Sequence, residues 1–248
     1  MDPIQEFKQE VKDRLTANGR NEELKGAAHE FLKASIIPKY SYNFSWLGRP
    51  IIQYPEDIVA MQELMWEVKP DLVIETGIAH GGSLIFFSAM LELIRACTGS
   101  DGEVVGVDID IRSHNRKAIE EHPLSKRITM IQGSSIAPEI VASVAAKAKG
   151  KKRILISLDS NHTHEHVLAE LEAYAPFTTV GSYCVVFDTM VDDMPREQAG
   201  DRPWGPGNNP KTAVREWIKN HPEFAIDKSI DNKLLVSVAP DGYLKRLR

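Results

Sequence analysis

The chain has 248 residues, 42 % hydrophobic and 26 % charged, with a formal net charge of -5; it is long enough for a sizeable core, and without a basic patch it offers no case for binding nucleic acid or an anionic membrane. Its charged start, MDPIQEFKQEVKDR, has no apolar signal region, and its most apolar stretch, Leu84 to Ile94, is short and interrupted by Ser88 and Glu92. Cys97 and Cys184 form neither a disulfide framework nor a CxxC metal motif, so a cytoplasmic protein is expected.

Residues 1 to about 35 pattern as amphipathic helix, and IIPKYSYNFSWLGRPIIQYP follows as an aromatic-rich connector. This gives an N-terminal extension over residues 1–55 and a main domain over 56–248. In PEDIVAMQELMWEVKP, Ile58, Met61, Leu64, Met65 and Val68 recur at helical spacing between Pro55 and Pro70. Five apolar, β-branched runs come next: DLVIETG (71–77), EVVGVDI (103–109), RITMIQGS (127–134), RILISLDS (153–160) and SYCVVFDT (182–189). Helical patterns separate them, as a parallel sheet covered on both faces requires. A Gly/Pro-rich loop over 190–210, the helix KTAVREWIKNH, and a closing antiparallel pair, FAIDKSI and KLLVSVAP, complete the chain. The expected fold is α/β and Rossmann-like, a doubly wound, mostly parallel seven-stranded sheet, with the basic LKRLR as a solvated end.

Ligands of such sheets collect at the carboxyl ends of the strands. The first run ends in Glu75-Thr76-Gly77, and Gly81-Gly82-Ser83 open the next helix, whose free N–H groups face that end. The spacing is not the G-x-G-x-x-G of a dinucleotide site. An acid before the first glycine suits a sulfonium amino acid, whose ammonium group Glu75 can reach; the alternative is a tight turn alone. Asp108, at the tip of the second run, is placed to accept ribose hydroxyls in preference to Asp110, and Gln132-Gly133-Ser134 to edge an adenine ring.

Asp159 closes the fourth run and Asp188 the fifth, and neighbouring strands would bring their backbones to roughly 5 Å. Two such anions share a proton or a cation, and Mg²⁺ with waters is the economical answer; otherwise each acid caps the helix after it. His162, three residues past Asp159, is the candidate base for a reacting hydroxyl. In His162-Thr163-His164-Glu165-His166, an i, i+4 pair with Asp159 would instead make a two-histidine, one-carboxylate iron site. Trp204, in the loop after Asp188, is the lid candidate.

The pieces W-L-G-R-P with Y-P-E-D (46–57), K-P-D-L-V-I-E-T-G-I-A-H-G-G-S (69–83), G-V-D-I-D-I-R (106–112), L-D-S-N-H-T-H-E-H-V-L-A-E-L (158–171), Y-C-V-V-F-D-T (183–189) and G-P-G (205–207) resemble the cephalosporin hydroxylase family, which includes rhamnosyl O-methyltransferases. The resemblance implies a class I methyltransferase fold, S-adenosylmethionine and Mg²⁺ as cofactors, and O-methylation of a sugar or other polyhydroxylated natural product. It implies cofactor contacts at Glu75, Gly77, Gly81 and Asp108, joined in our reading by Ser83 and Ser134, and metal contacts at Asp159 and Asp188. Family members often carry Glu before the second metal acid, where this chain has Phe187; Thr189 is the substitute considered. A homo-oligomer built through the N-terminal helices is expected by family analogy. An iron-dependent hydroxylase and a non-catalytic cofactor-binding accessory subunit are the rival readings.

Overall fold

The structure, a computed structural model, describes residues 2–248. Helices α1 (Pro3–Asn18) and α2 (Glu22–Ile36) begin the chain, each started by a side chain that accepts from the first turn, Asp2 and Asn21. The connector folds into a hairpin of β1 (Phe44–Trp46) and β2 (Arg49–Ile51), and α3 (Pro55–Val68) follows.

The main sheet holds β3 (Leu72–Thr76), β4 (Glu103–Asp108), β5 (Ile128–Gln132), β6 (Ile154–Leu158), β7 (Tyr183–Val186), β8 (Phe224–Ile226) and β9 (Tyr243–Arg246). Their spatial order is β5-β4-β3-β6-β7-β9-β8; β3 to β7 run parallel and β9 runs antiparallel to both its neighbours. The helices between them are α4 (Gly82–Thr98), α5 (Ser113–Glu120), α6 (Pro138–Ala148), α7 (His164–Tyr174), α8 (Pro210–Trp217) and α9 (Lys228–Leu234). The strands alternate between two cores. Val73, Leu155 and Val185 face α3 and α4, whereas Ile74, Ile156 and Val186 face α6, α7 and α8. The chain winds outward from β3 to β5 and returns to β6 beside β3, so the switch point lies between the ends of β3 and β6.

The closing pair differs from the sequence expectation. FAIDKSI supplies β8 and enters α9, but KLLVSVAP is not a strand, and LKRLR is not a free end. The final strand is Tyr243–Arg246, inserted between β7 and β8 with Leu244 fully buried. A buried carboxylate draws the apolar LLVSV run elsewhere. Asp57 of α3 accepts from the Ser237 hydroxyl (2.6 Å), the Val238 N–H (2.9 Å) and the Tyr243 hydroxyl (2.7 Å). Those bonds hold residues 237–238 against α3 and leave the sheet position to residues 243–246.

Burial pushes the Asp57 carboxyl up to about 6 despite its three donors. A raised native pKa means the folded chain keeps this proton longer than the unfolded chain. Its contribution to stability therefore falls as pH rises from about 4 to about 6. Asp57→Asn removes that slope. Urea unfolding across about pH 4 to 7 should show the variant gaining on the parent up to about pH 6 and running parallel above. A difference independent of pH would show that Asp57 has an ordinary carboxyl pKa.

Candidate active site at the switch point

Past Thr76 the chain turns through residues 77–81 into α4. Gly77 has φ 91, and a Cβ there would meet the Asp159 carbonyl, so this glycine lets the ends of β3 and β6 lie in contact. Asp108 ties the turn from one side. Its Oδ2 accepts from the N–H groups of Ile78 (2.8 Å) and Ala79 (3.2 Å), and its Oδ1 from Asp110 (3.0 Å). Arg49 of β2 ties it from the other side, donating to the His80 carbonyl (3.0 Å) and to Asn115 Oδ1 (3.0 Å). Asn115 in turn donates to the Ala79 carbonyl (2.9 Å). Gly82 packs on the Pro50 carbonyl with no room for a side chain.

Glu75 lies beneath this loop, 2 % exposed, and accepts from the Ser83 hydroxyl (2.7 Å). Burial holds its pKa well above the usual carboxyl range; the charges of Asp159 and Asp108 add to the effect, and the Ser83 bond opposes it. A buried carboxyl flanked by other acids is suited to an ammonium-bearing ligand.

Asp159 and Asp188 follow β6 and β7, and the Phe187 N–H donates to the Leu158 carbonyl (2.9 Å), extending the strand pairing to the acids themselves. Asp188 adopts a left-handed backbone (φ 55), a conformation that costs a non-glycine residue about 1 kcal/mol. His162 stands between the carboxylates, with Nδ1 2.9 Å from Asp188 Oδ2 and Nε2 3.5 Å from Asp159 Oδ1. One ligand atom from each of the three residues falls within 4.8 Å of the others. Burial pushes Asp159 up to about 6; the His162 hydrogen bond opposes this and the Asp188 charge adds to it. His162 rises to about 10, because the Asp188 charge and the bonds to both acids outweigh its burial. Asp188 stays below the usual range, since the His162 charge and bond outweigh burial. The imidazolium thus acts as counter-charge to two acids. Two hard oxygen donors side by side, open on one side to a cavity, suit a divalent cation with waters.

That cavity, about 940 Å³, is lined by Gly77, Ser83, Asp159, His162 and Asp188, by connector residues such as Lys39 and Gln53, and by Trp204. The Trp204 and His162 rings lie 5.0 Å apart. Asp108 at the end of β4 and Ser134, two residues past β5, lie outside this lining, as do Glu75 and Gly81.

A family profile described as Rhamnosyl O-methyltransferase/CmcI matches residues 38–247. The chain belongs to the rhamnosyl O-methyltransferase/CmcI family. It is similar to the rhamnosyl O-methyltransferase of Mycobacterium leprae (strain TN), at 30 % identity over 207 residues and 82 % of each chain. The rhamnosyl O-methyltransferase of Mycobacterium bovis (strain BCG / Pasteur 1173P2) is 30 % identical over 195 residues, 77 % of this chain and 73 % of its own. A solved CmcI structure with Mg and SAM shares the fold, with a TM-score of 0.57 at 18 % identity over 84 % of this chain and 78 % of that one. As a member of the family, the chain is an O-methyltransferase.

Within this rhamnosyl O-methyltransferase/CmcI fold, several side chains stand apart from their sequence expectations. Thr189 does not join the acids: it is fully buried and its hydroxyl donates to the Pro240 carbonyl (2.6 Å). The two-histidine, one-carboxylate arrangement does not form. His162 precedes α7, which starts at His164, so helical i, i+4 spacing does not apply. His166 bonds instead to the hydroxyls of Ser135 (3.0 Å) and Ser160 (3.1 Å), near Glu170. His164 joins α7 to Thr212 of α8 (2.8 Å). Asp108 has both oxygens engaged by backbone N–H groups, so it is first an anchor for the loop. Arg49, Gln53 and Asn115 went unread as site residues. Arg49 stands in the W-L-G-R-P motif, the only sequence signal any of them carried.

Gly77→Ala should destabilise the fold by about 3 kcal/mol, combining a left-handed backbone with overlap on Asp159. Thermal unfolding of the variant checks this, and a melting temperature equal to the parent's would contradict the close approach of the two strand ends.

Proposed function

We propose that the protein transfers a methyl group from S-adenosylmethionine to a hydroxyl of a sugar, with a divalent ion, Mg²⁺, held at Asp159 and Asp188. The observation that carries this reading is the pair of carboxylates on adjacent strand ends, counter-charged by His162 and sharing a switch point with the buried Glu75. The naming of the relatives as rhamnosyl O-methyltransferases, and of the CmcI structure for Mg and SAM, supports it.

When bound, the sulfonium cofactor supplies a methyl group on a neutral leaving group, and the cation lowers the acceptor hydroxyl's pKa and fixes its position. The chain's residues supply the rest. Glu75 binds the cofactor's ammonium group, with Ser83 fixing the carboxyl and the Gly77–Gly81 backbone shaping the turn around it. Asp108 holds that turn and offers its remaining acceptor capacity to the ribose, while Ser134 borders the adenine. Asp159 and Asp188 hold the cation. With their charge met in this way, His162 no longer serves as counter-charge, and its neutral ring takes the proton from the acceptor hydroxyl. Phe187, 4 % exposed within the core, supplies no ligand, so the cation site rests on two carboxylates rather than three. Trp204 closes the cavity beside His162 and excludes water from the hydroxyl.

Incubation with methyl-labelled S-adenosylmethionine and a rhamnosyl glycoside should label the sugar. Chelator should abolish transfer and added Mg²⁺ restore it. Asp159→Asn should lower turnover by about 100-fold or more while binding the demethylated cofactor within about threefold of the parent. Transfer that persists unchanged in excess chelator would overturn the metal's part in this reading.

A further inference from the structure

Gln53 lies in the short link between β2 and α3, pinned on both sides. Ile51 before it is buried, and Tyr54 after it is buried with its hydroxyl 2.5 Å from that of Ser35. The side chain lines the cavity and is 8 % exposed. Its Nε2 donates to Asp159 Oδ2 at 3.2 Å. An ionised carboxylate only accepts, so this contact sets the orientation of the amide. The other end of the amide, Oε1, is then buried with no hydrogen-bond partner. Leaving a buried carbonyl unpaired costs free energy, so its natural complement is a donor that arrives with the bound complex.

The two oxygens of Asp159 divide accordingly: Oδ2 faces Gln53 and Oδ1 faces His162. A hydrogen bond at one oxygen restrains the rotation that would carry the other away from His162. Gln53 is also neutral, so it restrains Asp159 without adding a third charge to an acidic cluster.

We propose that Gln53 is a positioning residue of the divalent-ion site. Its Nε2 locks Asp159 with Oδ1 toward His162 and Asp188, and its Oε1 accepts an O–H from the bound complex, either a cation-bound water or the sugar hydroxyl. The connector is then a working part of the site, because it supplies a restraint that the sheet's own strand ends lack. This inference rests on the proposed cation binding at Asp159 and Asp188.

Calorimetric titration of the full chain with Mg²⁺ tests it, comparing the parent with Gln53→Met, which keeps the shape and removes both polar ends. Mg²⁺ affinity should fall roughly 10- to 100-fold, with affinity for S-adenosylhomocysteine unchanged within about twofold. If Gln53→Met yields too little folded protein, Gln53→Asn carries the same prediction, since its amide falls one methylene short of Asp159. At saturating Mg²⁺, a raised KM for the sugar acceptor assigns Oε1 to the sugar hydroxyl, and an unchanged KM assigns it to a cation-bound water. Mg²⁺ affinity within about twofold of the parent would overturn the proposal alone. Failure of the parent itself to bind Mg²⁺ would remove the cation reading and this inference with it.

Discussion

Two acids at adjacent strand ends of a parallel sheet have their backbones fixed side by side, and the rest of the site is organised around that constraint. The pairing of β6 with β7 continues from Leu158↔Val186 to the Phe187 N–H on the Leu158 carbonyl, so Asp159 and Asp188 are held side by side by the sheet. Like charges at that distance need a proton or a cation. The chain provides one answer in His162, whose ring bridges both acids, and the same oxygens provide another for a divalent ion. In the proposed reaction, exchanging one counter-charge for the other would leave His162 neutral and able to take a proton from the acceptor hydroxyl.

A second feature is a turn after β3 that is shaped before anything binds. Residues 77–82 are held by Asp108 from β4, by Arg49 and Asn115 from outside the sheet, and by Gly82 against Pro50. Ordering a loop at the moment of binding costs free energy, and a loop already tied on both sides avoids most of it. The β1–β2 hairpin contributes to this bracing and the link to α3 reaches Asp159 through Gln53, so the N-terminal connector touches both the turn after β3 and the acid pair. Asp57, a few residues further on, fixes α3 to the chain that precedes β9 and keeps this whole flank in register.

The parallel strands and their terminal acids were legible because burial on both faces writes itself as continuous apolar runs, and each run ends where the chain leaves the core. Glu75, Asp159, His162 and Asp188 stood out as charged or titratable residues at those ends. Less legible was anything decided by contacts distant in sequence. LLVSV reads as a strand until Asp57 takes its backbone, and LKRLR reads as a tail until Leu244 is seen to fill the sheet. Thr189 sits beside an acid in sequence, yet its hydroxyl turns to Pro240. The helical pairing of His162 with His166 fails because α7 starts two residues after His162. Gln53 and Asn115 have no local pattern at all; only the fold brings them to the acid and to the loop.

What occupies the space between Asp159 and Asp188 in the working enzyme decides whether the methyl transfer is metal-assisted. Crystals grown with Mn²⁺ and S-adenosylhomocysteine, measured for anomalous scattering, test this directly. A single metal peak is expected in contact with oxygens of both carboxylates, with the cofactor product against residues 75–83. No peak there, with His162 still bridging the two acids beside bound product, would contradict it.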